Sequence, residues 1–347
     1  MSISSNSLPN DIRRVAAEAG VSIATVSRVF NNPNRVSAKT RRRVLETAAR
    51  LDYRPNLMGQ NLRKGRAQAV GVVIPTPQGR FSDPFFLELL TGLGEGLAEA
   101  ELDLLVTTCP PGPQELACYQ RLVESKRVDA LVIARTRRHD ERIRYLLQRQ
   151  TPFVAHGRSD QISQPYAYLD MDGRYGFYLA CKHLLGLGHR RIAFIGVSSE
   201  LNFAHYRLEG YQQALAEVGL IPDPGWILEG DLSEESGYRL TQTLLATTLP
   251  PTAILCANDL MALGALQALR ELDFKAGQEV SVIGYDDIPL SQYTDPPLST
   301  VHQPIRKMGQ RLVEMLLARL NGVAVAELQE VWVPELVLRR SDGAPPV

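Results

Sequence analysis

Residues 11–45 read DIRRVAAEAGVSIATVSRVFNNPNRVSAKTRRRVL. Asp11 is placed to cap a short helix running to about Ala19, with Ile12, Val15, Ala16 and Ala19 on one face. Gly20 interrupts that helix, and Ser22 caps a second one that turns Val26 and Val29 inward. Two short helices joined by a bend carrying a glycine and an apolar valine follow the helix-turn-helix pattern. Pro33 in Asn31-Asn32-Pro33 ends the second helix, because proline restricts the residue before it and cannot continue the hydrogen-bond ladder. Ser37 caps a third helix over 38–51, whose Val44, Leu45, Ala48 and Leu51 are expected to close a three-helix core.

The outward chemistry of the second helix goes beyond what a small bundle needs. Ile23, Ala24, Thr25 and Ser27 are short or apolar, so the helix can approach base edges, and Arg28 offers paired donors to a guanine. Arg13, Arg14, Arg35, Lys39 and Arg41 to Arg43 are available for phosphates. Charge agrees. The 347-residue chain has formal net charge +0, yet residues 1–66 hold 13 Lys and Arg against 4 Asp and Glu, leaving 25 against 34 in the remainder. A basic head on an acidic body is expected where one end of a chain touches a polyanion. Next comes NLMGQNLRKGR, residues 56–66. Pro55 suits a first helical turn, but Gly59, Gly65 and the shortness of the segment leave a helix that needs outside support. Leu62 is an apolar side chain that could wedge between base pairs; the alternative is a flexible linker with a chance leucine.

From residue 67 strands and helices alternate. Strands are expected at AVGVVIPT, LDLLVTTC, DALVIA and PFVAHG; after the helix RYGFYLACKHLLGLG the pattern restarts with RIAFIGV, WILEGDL, TAILCAN and EVSVIGYD. The helix IRKMGQRLVEMLLARL and a final strand VWVPELVLRR complete the second set. Alternation of this kind predicts an α/β body of two parallel-sheet lobes with a cleft between them. A hydrophobic content of 44% and a charged content of 22% fit a soluble globular chain. The N-terminus lacks the order of a secretory signal, and no apolar run approaches the roughly 20 residues that span a bilayer. The scattered Cys109, Cys118, Cys181 and Cys256 read as reduced thiols of a cytoplasmic protein, with no disulfide or metal site.

Enzymatic motifs are missing. Gly92-Leu93-Gly94-Glu95-Gly96 falls in or beside an amphipathic helix and not directly after the first strand, so no dinucleotide cofactor is expected. His183 and His189 lack zinc spacing, and GxSxG, HExxH and Walker patterns do not occur. No cofactor and no catalytic residue are assigned. The residues at the lobe edges are more telling: Asp83 and Phe85 before a helix near the first strand, Arg207 within a helical run, Asn258-Asp259 after TAILCA, and Tyr285-Asp286-Asp287 after SVIG. An arginine and carboxylates beside an aromatic face suit a sugar, although helix capping accounts for Asp259 equally well. His156-Gly157-Arg158, His205 and Tyr206 are further candidates for the cleft.

VAAEAGVSIATVSRVFNNPNRVSAKTRRRV followed by LDYRPNLMGQNLRKG closely resembles the lactose-repressor (LacI/GalR) family of bacterial transcription regulators. DPFF, LGLGHRRIAFIG, RLEGYQQAL, PTAILCANDLMALGAL and VSVIGYDDIPLSQYTDPPLSTVHQP extend the resemblance over residues 11–340. It implies an all-α helix-turn-helix head with a hinge helix on a periplasmic-binding-protein-like body, divided as 1–54, 55–66 and 67–340 with a tail at 341–347. It also implies a homodimer that binds a pseudo-palindromic operator and answers to a small effector, commonly a sugar. On that resemblance Ile23, Ala24 and Arg28 read bases, with Thr25 and Ser27 near the backbone; Asn31 joins the DNA contacts, and Arg14, a departure from the family's usual opening, adds a phosphate contact. Asn56 and Gln60 match hinge contacts and Leu62 the intercalating leucine. Asp83, Phe85, Arg158, Arg207, Asp231, Asn258, Asp286 and Gln303 are the effector candidates. The leading reading is a repressor that releases DNA when sugar binds. A regulator tightened on DNA by a nucleobase or a protein co-repressor is the alternative, and the residues do not choose between these signs. An exported sugar-binding protein would lack the head, and an enzyme would need catalytic groups.

The hinge departs from the family in carrying Gly59 where alanine is common. If the segment becomes helical only on DNA, Gly59→Ala lowers that ordering cost by about 1 kcal/mol and tightens operator binding up to roughly fivefold. Leu62→Ala acts oppositely, and more on kinkable operators than on random duplex. Fluorescence anisotropy at matched salt reads both; weaker binding by Gly59→Ala would mean that a β-carbon collides at the hinge, and an unaffected Leu62→Ala would remove the wedge.

Overall fold

A computed structural model describes residues 11–53, 67–76 and 83–346, in two compact units that meet in sequence at Ala67 and Gln68. The hinge residues Asn56, Gln60 and Leu62, and the side chain of Asn31, lie outside the described residues.

The head has three helices, α1 (Ile12–Glu18), α2 (Ile23–Asn31) and α3 (Ala38–Arg50). Each starts where its cap predicts. Asp11 accepts from Arg13 N, Ser22 from Thr25 N and Ser37 from Thr40 N, which satisfies donors that the first turn would otherwise leave unpaired. Val15, Ala16, Ala19, Val26, Val29, Val44 and Ala48 form the core, with Ile12, Val21, Phe30 and Leu51 packed at its margin. One expectation fails: Leu45 is 42% exposed, and Thr47 takes the inward position beside Ala48. Val44, Thr47, Ala48 and Leu51 share one helical face, and Leu45 stands about 100° away from Val44.

In the body the first lobe holds β1 (Ala69–Pro75), α4 (Pro84–Glu99), β2 (Asp103–Cys109), α5 (Gln114–Glu124), β3 (Ala130–Ile133), α6 (Glu141–Gln148), β4 (Phe153–His156) and β5 (Ala167–Met171). The second holds α7 (Gly173–Gly186), β6 (Ile192–Val197), α8 (Asn202–Ala216), β7 (Ile227–Gly230), α9 (Glu234–Leu245), β8 (Ala253–Cys256), α10 (Asp259–Glu271), β9 (Ser281–Asp286) and β10 (Ser299–His302). The chain then returns. α11 (Ile305–Leu320) packs on α4, β4 and β5, and β11 (Gln329–Trp332) pairs in parallel with β5. A last pass brings β12 (Glu335–Val337) antiparallel to β10. The sheet orders are β11-β5-β4-β3-β1-β2 and β12-β10-β9-β8-β6-β7.

This corrects the sequence reading in two places. The helix IRKMGQRLVEMLLARL belongs to the first lobe and not the second. VWVPELVLRR is no single strand: Pro334 lacks an N–H, the chain breaks there, and its halves serve different sheets. The C-terminal segment begins inside the second lobe, where Ser341 is fully buried. Its hydroxyl donates to Val282 O at 2.6 Å and accepts from Ser299 N at 2.8 Å. His183 and His189 help anchor the same segment, His183 through Asp342 (2.6 Å) and His189 through the Gly343 carbonyl (2.8 Å).

The glycine run at 92–96 lies inside α4, where Gly92 faces α11 so closely that a β-carbon would overlap the Arg306 carbonyl oxygen. That contact holds the returning helix against the first lobe. Gly92→Ala is therefore expected to cost at least about 1–3 kcal/mol by overpacking. The chain's two tryptophans, Trp226 and Trp332, both lie in the body, so urea unfolding followed by their fluorescence reads this unit alone. An unchanged midpoint would show that the two helices separate at no cost.

Candidate functional site

In the head, Ser22 fixes the start of α2, and its hydroxyl lies 2.9 Å from that of Thr25. Ile23, at 46% exposure, stands outward together with Ala24 and Arg28, while Thr25 and Ser27 are half-buried beside them. An apolar tip and a guanidinium thus share the open face of a helix whose other face is core. Arg14 is less available than expected: it pairs with Glu18 at 3.4 Å, and Glu18 also takes Arg50 at 2.8 Å. Lys39, Arg41 and Arg43 are exposed along the start of α3.

In the body, the strands' C-terminal ends in both lobes face a cleft of about 590 Å³, its open mouth included. Parallel strands joined by helices gather their following loops at one end, which is where α/β sheets bind ligands. From the first lobe come Asp83 and Phe85 at the start of α4, Arg135 and Thr136 after β3, His156 and Gly157 at the end of β4, and Asp170 and Met171 from β5. The second lobe brings Phe203 and Arg207 on α8, Leu232 after β7, Asn258 before α10, Asp286 at the end of β9, and Gln303 after β10.

Arg207 is the centre of this wall. It is 7% exposed, and its guanidinium carbon lies 3.6 Å from the centre of the Tyr285 ring and 4.6 Å from that of Phe203. The guanidinium donates to the Ala257 carbonyl and stands 4.0 Å from Asp286, while its buried Nε has no partner among the described residues. Asp286 has φ +118, a region that side chains with a β-carbon rarely adopt, and accepts from Gln303 at 2.5 Å. Burial pushes its carboxyl well above the usual range, with the Arg207 charge opposing. Asp170 is raised for the same reason despite Arg158, which donates to it at 2.7 Å. Across the cleft Asp83 pairs with Arg135, itself at φ +52. Gly157, at φ +104, approaches Thr136 so closely that a β-carbon would strike the hydroxyl.

Of the eight sequence candidates, the cleft is lined by Asp83, Phe85, Arg207, Asn258, Asp286 and Gln303. Arg158 and Asp231 are not among its lining. The Arg158 guanidinium is taken by Asp170 and lies over the Tyr206 ring, and Asp231 accepts from Ser233 N at 3.0 Å before α9. Asn258 lines the cleft with its amide already engaged, accepting from Met261 N at 3.0 Å and donating to Leu232 O at 3.1 Å. Asp259 points away, to Ile288 N and Ser291. Arg135, Asp170 and Phe203 were missed. Their one sequence signal is position at a strand's C-terminal end or in the first turn of the following helix, a signal that many structural residues share.

A family model described as bacterial regulatory proteins, lacI family, matches residues 11–56, and one described as a periplasmic binding protein-like domain matches residues 181–341. The chain is 36% identical to the HTH-type transcriptional regulator AglR of Rhizobium meliloti, over 98% of this chain and 96% of that protein. A solved structure of the lac repressor dimer bound to operator and the anti-inducer ONPF matches 95% of this chain and 98% of its own, at 31% identity and TM-score 0.83. The transcriptional regulator CelR in complex with cellobiose matches 95% of this chain and 99% of its own, at 30% identity and TM-score 0.74.

His156 supplies a test of the cleft's electrostatics. Burial, joined by the positive charge of Arg207, lowers it from 6.5 to about 4, and its Nε2 has no partner among the described residues. The unfolded chain takes up a proton near pH 6.5 that the folded state refuses, so this contribution to stability is complete above that pH and is lost as pH falls toward 4. Urea unfolding across this range should show a shallower acid loss for His156→Gln than for the native chain. Parallel curves would mean that His156 protonates freely in the folded state.

Proposed function

The chain belongs to the lacI family of bacterial regulatory proteins, and we propose that it is a repressor whose hold on operator DNA is set by a neutral, sugar-like effector bound between the lobes of its body. One observation carries the effector class. A buried guanidinium lies against two aromatic rings, with an Nε unpaired among the described residues and a carboxylate 4.0 Å away, where the two sheets' strand ends meet. Vicinal hydroxyls donate to a carboxylate and accept from a guanidinium, while the sugar's C–H face stacks on a ring. Among the described residues charge argues for neutrality, since Arg135 faces Asp83, Arg158 faces Asp170 and Arg207 faces Asp286. A phosphate would need a cation beyond these pairs. The structures of CelR with cellobiose and of an Enterococcus faecium regulator with ribose support the class.

In this reading Arg207, Asp286, Gln303, Asp83 and Phe85 hold the effector, with Arg135, His156 and Asp170 added and Arg158 acting through Asp170. Asn258 shapes the wall. On the head, Ile23, Ala24 and Arg28 meet base edges; Thr25, Ser27 and Asn31 lie near the backbone, with Asn56, Gln60 and Leu62 in the hinge. The effector binds the non-operator state better and so releases DNA.

A thermal-shift panel of neutral mono- and disaccharides, sugar phosphates and purines, with hits repeated in operator titrations, tests this. Stabilisation by a phosphate or purine alone would sink the proposal, and tighter operator binding with a sugar would reverse its sign. With the sugar so found, Arg207→Ala or Asp286→Ala should weaken its binding by roughly ten- to a hundredfold and leave operator affinity nearly intact. On the head, Arg28→Ala should cost about 1–3 kcal/mol of discrimination between operator and random duplex. Equal losses on both would make Arg28 a phosphate contact.

A further inference from the structure

The connection after β3 does more than line the cleft. Its backbone pairs with the second lobe: Arg138 N donates to Glu200 O at 2.8 Å and Asn202 N donates to Thr136 O at 3.0 Å, an antiparallel bridge centred on Arg137 and Leu201. The chain passes between lobes elsewhere, at the edges carrying β11 and β12. β3 lies three strand spacings from β11, about 14 Å. A tie at that distance from the crossings resists the rotation that the crossings alone leave open.

The loop is held from beneath. Arg142 is 1% exposed, and all five of its side-chain N–H donors are used. Nε and one terminal nitrogen grip Asp140 at 3.0 and 2.7 Å, and the other terminal nitrogen reaches Glu115 at 2.8 Å. The remaining donors take the carbonyls of Ala134 (3.3 Å) and Arg135 (2.9 Å). Asp140 also accepts from Arg137 N at 3.0 Å, and Glu115 pairs with the Arg137 side chain. Both ends of the 134–137 turn therefore rest on one buried cluster of two cations and two anions. Arg135 needs that restraint, because φ +52 is costly for a residue with a β-carbon.

We infer that residues 134–138 form a clasp between the lobes and that Arg142 is the positioning residue that sets it. The clasp is built from contacts within the body and does not depend on the identity of the effector. Lysine keeps the charge that Glu115 and Asp140 require but offers three donors in place of a planar five, so it cannot hold both carboxylates and both carbonyls.

Two measurements on the full-length protein test the inference. In the first, hydrogen exchange is resolved at the amides of Arg138 and Asn202 and compared with those of Leu131 in β3 and Phe194 in β6. The native chain should protect all four. Arg142→Lys should speed exchange at Arg138 and Asn202 by roughly tenfold or more, the factor implied by losing one charge-assisted hydrogen bond, and leave the strand amides unchanged. Equal acceleration at all four, or none, would reduce Arg142 to general stabilisation and overturn its role. Should Arg142→Lys fail to fold, Glu115→Gln, which spares the grip on Asp140, is read in the same way with a smaller effect. The second measurement tests the clasp itself. Arg137 and Leu201 form a non-hydrogen-bonded antiparallel pair, whose Cα atoms lie about 4.5 Å apart, within disulfide reach. Arg137→Cys with Leu201→Cys, in a Cys118→Ser background, should cross-link in air and be detected by mass spectrometry of non-reduced digests. A chain that stays uncross-linked would show that the lobes do not meet there.

Discussion

The body depends on a constraint of connectivity: its chain passes between two parallel sheets after β5, after β10 and after β11. Neither lobe is complete until the last fifty residues are in place, since α11 and β11 finish the first and β12 with Ser341 finishes the second. Because every pass departs from a strand's C-terminal end, both sheets turn those ends toward each other. The cleft is therefore assembled from connections spread from Asp83 to Gln303. Interactions that look local are consequences of that arrangement. Asp172, the cap of α7, donates its own N–H to Trp332 O at 2.8 Å, so the first pass and the last lie side by side.

Electrostatics within the cleft follow from what surrounds each charge. Arg207 is removed from water by two aromatic rings, and Asp286 and Asp170 by burial, so each is costly alone and more favourable beside its partner. Of these groups Arg207 keeps a donor, Nε, that the described residues do not fill, and all three residues line the cleft. A polyhydroxylated ligand can fill that donor, whereas a strongly charged one must compete with pairs already formed. The same physics at Arg142 is used differently, because there every donor is matched and nothing is left for a ligand.

The head is governed by shorter-range terms. Three capped helices with a core of valines and alanines leave one helix face free for recognition, and almost every determinant of that arrangement lies within a few residues of its partner. This explains why its caps, helix ends and glycine bend were legible from residues 11–45 alone. The exceptions, Leu45 turned outward and Arg14 tied to Glu18, concern how one helix meets another or which neighbour a long side chain selects.

Sequence by itself determined the helix-turn-helix, the strand–helix alternation, the two lobes, and the places of Asp286 at a strand's end, Asp83 before a helix and Arg207 within one, since periodicity, capping and strand length are local properties. Tertiary structure decided membership and use. The helix at 305–320 has an apolar face that either lobe could bury, and the close approach of Gly92 settles which. Asp231 and Asp286 both follow a strand, yet Asp231 turns to Ser233 while Asp286 faces Arg207, 79 residues away in sequence. Arg158 looked as free as Arg207 until folding brought Asp170 to it. A side chain's role in the cleft depends on which distant charge reaches it first, and that choice is made only when the chain's separate passes are packed together.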